Sequence, residues 1–245
     1  MRKIAISLSK GGVGKTTTAV NLSAGLSNKG YKILLIDTDT QNQSSSNLGI
    51  KSEIGLAELI EGKANPPDAL IEARRGLFLL SGGRKLGEIK RLIARKDYRP
   101  EMTLSEALRP YDNKFGFVIL DTAPGWDSLT VNVLFYANEI LSPISLEVLT
   151  IMGFADFLKS LEPIQKYAEV DINYMLPTFL DHRVKKSEEI LDQLKQYYQD
   201  KLCMPIRYNV RLSESPRYGQ TIFEYSPKST GAKDYNLLTE RVLNV

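Results

Sequence analysis

The stretch that decides the fold runs from Lys3 to Gly30, KIAISLSKGGVGKTTTAVNLSAGLSNKG. It opens on KIAISL (3–8), whose apolar run reads as a buried strand. A glycine-rich turn follows, and Thr16 to Lys29 then carries a helical pattern that Gly30 ends. Strand, glycine turn and helix in that order form one α/β unit, and the rest of the chain repeats the alternation. KILLID (32–37) is a second buried strand, and GLFLLS (76–81), FGFVILD (115–121), EILSPIS (139–145) and INYMLPTF (172–179) read as further ones. Helical stretches such as Ser187–Asp200 lie between them. Near-continuous apolar strands alternating with helices predict a doubly wound, mostly parallel α/β sheet covered on both faces. No internal repeat, low-complexity segment or Pro/Ser-rich linker divides the sequence, so one domain over 1–245 is expected. The stretch 82–114 is polar and basic and is expected to include a mobile loop.

Composition narrows the class. Of 245 residues, 42% are hydrophobic and 25% charged, which suits a chain with an ordinary buried core. The net charge is only +3, so any nucleic-acid binding must come from a local patch. A lone cysteine, Cys203, excludes an internal disulfide and a cysteine-rich metal site, and it agrees with a reducing cytoplasm. The apolar run at the N-terminus is too short for a signal peptide. No apolar run approaches the ~20 residues of a membrane span, so no membrane contact is expected.

The run KGGVGKTT (Lys10–Thr17) sits between that first strand and the first helix, where a phosphate-binding loop belongs. Gly11, Gly12, Val13 and Gly14 let successive backbone N–H groups turn toward one point, and the helix adds its positive N-terminal end. Lys15 would reach the β- and γ-phosphates of ATP, with Thr17 in the same turn, while the Thr16 hydroxyl would bind Mg²⁺. The strict P-loop pattern asks for glycine at position 9, and this chain has Ser9.

Three carboxylates follow strands. KILLID leads into DTDTQ, with Asp37 and Asp39, and FVIL leads into DTAPG, with Asp121. Open α/β sheets bind ligands at the carboxyl ends of their strands. Asp121 is the Walker B candidate for the metal, Asp37 a candidate for its outer coordination sphere, and Asp39 a candidate to orient the attacking water. A single aspartate at a strand end is as readily a helix cap or a turn former. Three beside one phosphate loop point to function.

With KGGVGKTT, LLIDTDTQ, VILDTAP and the C-terminal NVRLSESPRYGQTIFEYSPKSTGAKDY on the page, the chain resembles the ParA/MinD family of deviant-Walker ATPases. The last segment is most similar to the ParA (Soj-like) DNA-partitioning branch. In that family two subunits clasp two ATP molecules face to face, and the resemblance implies that Lys10 crosses to the partner's nucleotide. It also implies purine contacts near Asn209 and Pro227. By motif position it makes Arg183 and Arg211 the DNA-binding residues, with Lys185 and Lys186 beside Arg183 for added phosphate contacts. Thr40 stands where the family usually has proline, and Asn42 and Gln43 where many relatives have Gly-Asn. A second basic stretch, with Lys90, Arg91, Arg95 and Lys96, matches no family motif and reads as a solvated helix face.

The resemblance thus implies a Mg²⁺–ATP-driven homodimer that binds nonspecific double-stranded DNA. A ParB-like or other adaptor would stimulate slow hydrolysis, release the DNA, and segregate a plasmid or chromosome or position another cargo on the nucleoid. The runner-up is a MinD-like membrane-cycling regulator of cell division. That activity needs a C-terminal amphipathic helix with basic and bulky apolar faces, whereas the final LLTERVLNV holds only one base, Arg241. An electron carrier of the nitrogenase iron protein type and a metal-cluster scaffold both need cysteines that this chain lacks. A biosynthetic ligase would need a substrate site that the sequence does not reveal.

Overall fold

The computed structural model describes residues 1–244. Its first half runs β1 (Arg2–Ile6), α1 (Lys15–Asn28), β2 (Ile33–Asp37), α2 (Gln43–Asn47), α3 (Leu56–Ile60), β3 (Leu70–Arg74), β4 (Leu77–Leu80), α4 (Leu86–Arg95) and α5 (Thr103–Leu108). The second half runs β5 (Phe117–Asp121), α6 (Ser128–Tyr136), β6 (Glu139–Ser145), α7 (Val148–Gln165), β7 (Asp171–Thr178), α8 (Lys185–Tyr198), α9 (Val210–Glu214), α10 (Ile222–Tyr225) and α11 (Thr230–Leu243).

The strands form one seven-stranded sheet in the order β3-β4-β2-β5-β1-β6-β7. Every pairing is parallel except β3 with β4. Successive side chains of a strand point to opposite faces, so a strand covered on both sides must be apolar at both parities. Leu34 and Ile36 of β2, with Val118 and Leu120 of β5, enter the core on one face. Ile33, Leu35, Phe117 and Ile119 enter the core on the other, where α1 and α11 pack. The predicted doubly wound fold is the one observed.

Register then fixes the chemistry. In the β2–β5 pairing Leu35 lies opposite Ile119, and two residues on Asp37 lies opposite Asp121. Both carboxylates share the parity of the residues packed under α1, so they emerge on that helix's side of the sheet.

The stretch 82–114 departs from the expected mobile loop. It folds into α4 and α5. Leu86, Ile89 and Ile93 of α4 are buried at helical spacing while Arg91 and Arg95 face outward, so an apolar stripe inside a basic sequence specifies the helix. Strand β3 also escaped the reading, because LIEAR is an antiparallel edge strand with Glu72 exposed and carries no continuous apolar run.

Candidate functional site

The phosphate loop joins β1 to α1. Gly12 and Gly14 hold φ of 74° and 90°, a region that side chains with a Cβ avoid. Gly14 is the N-cap of α1 and no side chain caps the helix, which leaves first-turn N–H groups for an anion. The loop is tied down from three sides. Thr178 Oγ1 donates to the Val13 carbonyl at 3.0 Å, Gly125 N to the Ser9 carbonyl at 2.7 Å, and Ser142 Oγ to the Ser7 carbonyl at 2.8 Å. Lys15 is buried, and its Nζ donates to the Lys10 carbonyl at 2.7 Å. Burial lowers the pKa of this ammonium, against the pull of Asp121 and Asp39.

Beneath the loop, Asp37 and Asp121 are fully buried. Asp37 accepts from Asp39 N at 2.9 Å and from Ser44 N at 3.0 Å. Asp121 Oδ2 accepts from Ser44 Oγ at 2.8 Å, and Asp121 Oδ1 is buried with no partner among the described residues. Burial pushes the Asp121 carboxyl up from 3.8 to about 6, although the Ser44 and Thr16 hydroxyls and Lys15 oppose it. Asp37 is raised as well, by burial first and then by Asp121. An orphaned, buried carboxylate oxygen beside Thr16 suits a hard cation that takes oxygen ligands. No group of three or more His, Cys, Asp or Glu that could hold a metal alone occurs among the described residues. A magnesium site needs none, since this ion binds through one or two protein oxygens together with water and phosphate. Asp39 is nearly buried, and its Oδ1 accepts from Gln41 N at 3.0 Å, which fixes the turn where Thr40 replaces the family's proline.

A cavity of about 620 Å³ opens at this carboxyl edge. Gly11, Gly12, Gly14, Lys15, Thr16, Thr17 and Asp39 line one part of it, and Tyr208, Asn209, Leu212 and Tyr235 another. Its lining joins glycines and a buried lysine with aromatic side chains and an amide, groups suited to the phosphates and the base of a nucleotide. Asn209 lines it while capping α9: its Oδ1 accepts from Arg211 N at 2.8 Å and its Nδ2 donates to Thr230 Oγ1 at 2.6 Å. Pro227 is not part of the lining, and the residues beside Asn209 that do line it are Tyr208 and Arg207, the latter paired with Asp234 at 2.6 Å. Val13 turns into the core, and Lys10 lies outside the cavity against Gly153 of α7.

Sequence reasoning missed Lys90. It lines the cavity from α4 and forms an ion pair with Asp127 at 2.6 Å. Lys96 of the same stretch pairs with Glu106 at 3.0 Å. Only Arg91 and Arg95 behave as the expected solvated face, because the stripe that buries α4 also turns Lys90 toward the cavity. Lysines one helical turn from buried Leu86 and Ile93 were the available signal.

The candidate DNA residues lie nearby. An isolated bridge pairs Leu180 with Arg207, which brings the segment before α8 alongside the segment before α9. Arg183, Lys185, Lys186 and Arg211 are all exposed. Arg183 forms a fork on Asp181, with Nε at 2.9 Å and Nη2 at 2.7 Å, and holds that carboxyl down at about 2. Arg211 pairs with Glu214 at 2.9 Å, and Lys185 lies 3.9 Å from Glu189.

Comparisons with known proteins add the following. A family profile described as an AAA domain matches residues 1–174. The chromosome-partitioning ATPase Soj of Thermus thermophilus is 34% identical, over 99% of this chain and 96% of that protein. The sporulation initiation inhibitor protein Soj of Bacillus subtilis is 32% identical, over 98% and 97%. Among solved structures, cobyrinic acid a,c-diamide synthase from Mycobacterium smegmatis with bound ATP analog and magnesium has a TM-score of 0.86 and 27% identity, covering 100% of this chain and 95% of that one.

Proposed function

This chain belongs to the ParA/MinD family of P-loop ATPases, and on that premise we propose that it is a partition ATPase whose Mg²⁺–ATP-bound homodimer holds nonspecific DNA and releases it on hydrolysis. One observation carries the reading: Lys15 and Asp39 face a single cavity, with the paired Asp37 and Asp121 directly beneath its phosphate loop. The Soj relatives, aligned end to end, support it, and the ATP analog and magnesium bound to the Mycobacterium smegmatis synthase support its nucleotide and metal.

Each residue has a distinct task. Lys15 exchanges the Lys10 carbonyl for phosphate oxygens, a better partner for a buried ammonium. The N–H groups around Gly12 and Gly14 hold the remaining phosphate charge. Thr16 and the free Oδ1 of Asp121 hold magnesium, with Asp37 behind them. Asp39, its Oδ1 anchored by Gln41, presents its other oxygen to the attacking water. Bound Mg²⁺–ATP supplies the reactive phosphoryl group and the divalent charge that spreads the developing negative charge. Lys10 lies outside its own cavity, in keeping with service to a second subunit.

DNA is held by Arg183, Lys185, Lys186 and Arg211, through contacts that carry no sequence information. A ParB-like or other adaptor accelerates hydrolysis, and the dimer then parts. The partition-protein relatives, matched along almost the whole chain, favour this reading over membrane cycling.

Light scattering with a non-hydrolysable ATP analogue and magnesium tests the proposal. The wild type is expected to double in mass. Lys10→Ala is expected to bind the analogue and stay single, and Lys15→Ala to lose binding about 100-fold or more, the cost of removing a charge-assisted contact to phosphate. A wild type that stays single with the analogue bound refutes the dimer.

A further inference from the structure

We propose that Lys90 is a second phosphate-end cation of the nucleotide cavity, held by Asp127 until a terminal phosphate replaces that carboxylate. The inference rests on the nucleotide reading above and concerns a helix to which no role has yet been assigned.

Helix α4 begins beside the Asp37–Asp39 turn, where Gly83 N donates to the Asp39 carbonyl at 3.0 Å. One turn into that helix, Lys90 lines the same cavity as Lys15 and Asp39, and its partner Asp127 follows the loop in which Pro124 packs by Gly11 and Gly125 N donates to the Ser9 carbonyl. Its backbone is fixed, because Ser128 Oγ donates to the Lys90 carbonyl at 3.0 Å. Its side chain is 23% exposed and reaches Asp127 Oδ2 at 2.6 Å. The other oxygen of Asp127 has a separate duty: Oδ1 accepts from Leu129 N at 3.0 Å and Thr130 N at 2.9 Å and caps α6. The lysine can therefore leave without uncapping the helix.

Such an exchange has a physical direction. A partly solvated lysine–carboxylate pair contributes little, and lysine is a point charge on a flexible stem. A terminal phosphate carries more charge than one carboxylate and would draw the ammonium away. ADP lacks that phosphate, so the contact discriminates triphosphate from diphosphate. Asp127 ends the loop that carries Pro124 past Gly11 and donates from Gly125 to Ser9, so its release also reports the terminal phosphate to that loop.

Titration calorimetry of the full chain with magnesium, a non-hydrolysable ATP analogue and, separately, ADP tests this. Lys90→Gln is expected to lower the ratio of analogue to ADP affinity about tenfold, with Lys90→Arg restoring most of it. Asp127→Asn keeps a capping oxygen and frees the lysine, so it is expected to raise the same ratio about threefold. A purely structural ion pair predicts that both variants change both affinities together, and an unchanged ratio or shifts of the same sign overturn the inference. If Lys90→Gln does not fold, the sign of the Asp127→Asn shift alone decides. Wild-type protein that binds neither nucleotide overturns the nucleotide reading itself, whereas intact binding with an unmoved ratio overturns only the role of Lys90.

Discussion

Asp121 stands fully buried across from Asp37. Burial raises the pKa of both carboxyls, with Asp121 adding to the rise at Asp37 and Asp39 to the rise at Asp121. For Asp121 the native value is about 6 against an ordinary 3.8. The folded state therefore binds more protons than the unfolded state between those values, so stability falls as pH rises through that window. Without nucleotide and with EDTA present, wild-type melting temperature is expected to climb from pH 7 to pH 5. Asp121→Asn is expected to melt higher than wild type at pH 7 and to show a flatter pH profile. A variant that melts lower at pH 7 would mean that Ser44 and Lys15 already offset the buried charge. These carboxylates were legible in the sequence because each ends an apolar run, and parallel register then brought them side by side. Lys90 was not legible, since whether a lysine in a basic stretch faces water or a cavity depends on which side of α4 is buried.

At the level of elements, the site is built where strand ends meet a close-packed loop. Gly82 follows β4, and a Cβ placed there would stand 2.6 Å from the Asp39 carbonyl and 2.8 Å from the Asp37 carbonyl. Only a residue without a side chain lets α4 begin against the Asp37–Asp39 turn. Backbone carbonyls cannot retreat as a flexible side chain would. Gly82→Ala is expected to cost roughly 2–3 kcal/mol of stability and to slow hydrolysis by displacing Asp39. Denaturant unfolding and phosphate release measure the two effects, and a neutral result in both would show that the β4–α4 turn has room to shift. Read without coordinates, the Gly82–Gly83 pair marked only the start of a polar stretch. Its importance is a non-local contact, between residues more than forty positions apart, and local pattern does not report such contacts. The buried stripe of α4 was hidden for a related reason: apolar residues spaced for one helical face are diluted by the charges between them, and the eye counts the charges.

For the whole molecule, a parallel sheet sends every loop after β1, β2 and β5 to one edge, so the phosphate loop, the acidic turns and Lys10 share one end of the protein. The β7–α8 segment and the segment before α9 join that end through the Leu180–Arg207 bridge. A nucleotide that draws two such ends together would set two copies of Arg183 and Arg211 on one assembly. The sequence identified these arginines by motif and gave no sign that each already has an acidic partner. Arg183 is forked on Asp181 and Arg211 rests on Glu214, so in one subunit their fields are partly neutralised. DNA bound as proposed would have to displace those carboxylates, and a single subunit with few competing phosphate contacts would gain little from doing so. Doubling the set would favour the exchange, so the proposed function predicts DNA binding that depends on ATP without any arginine touching the nucleotide. Each phosphate contact releases counterions and adds about −0.9 to the slope of log affinity against log salt, so Arg211→Ala, which removes two contacts per dimer, is expected to flatten the slope by about two. Fluorescence anisotropy of a random duplex in a salt series, with the ATP analogue present, measures it. An unchanged slope in a variant that still dimerises would place the DNA-binding face away from α9.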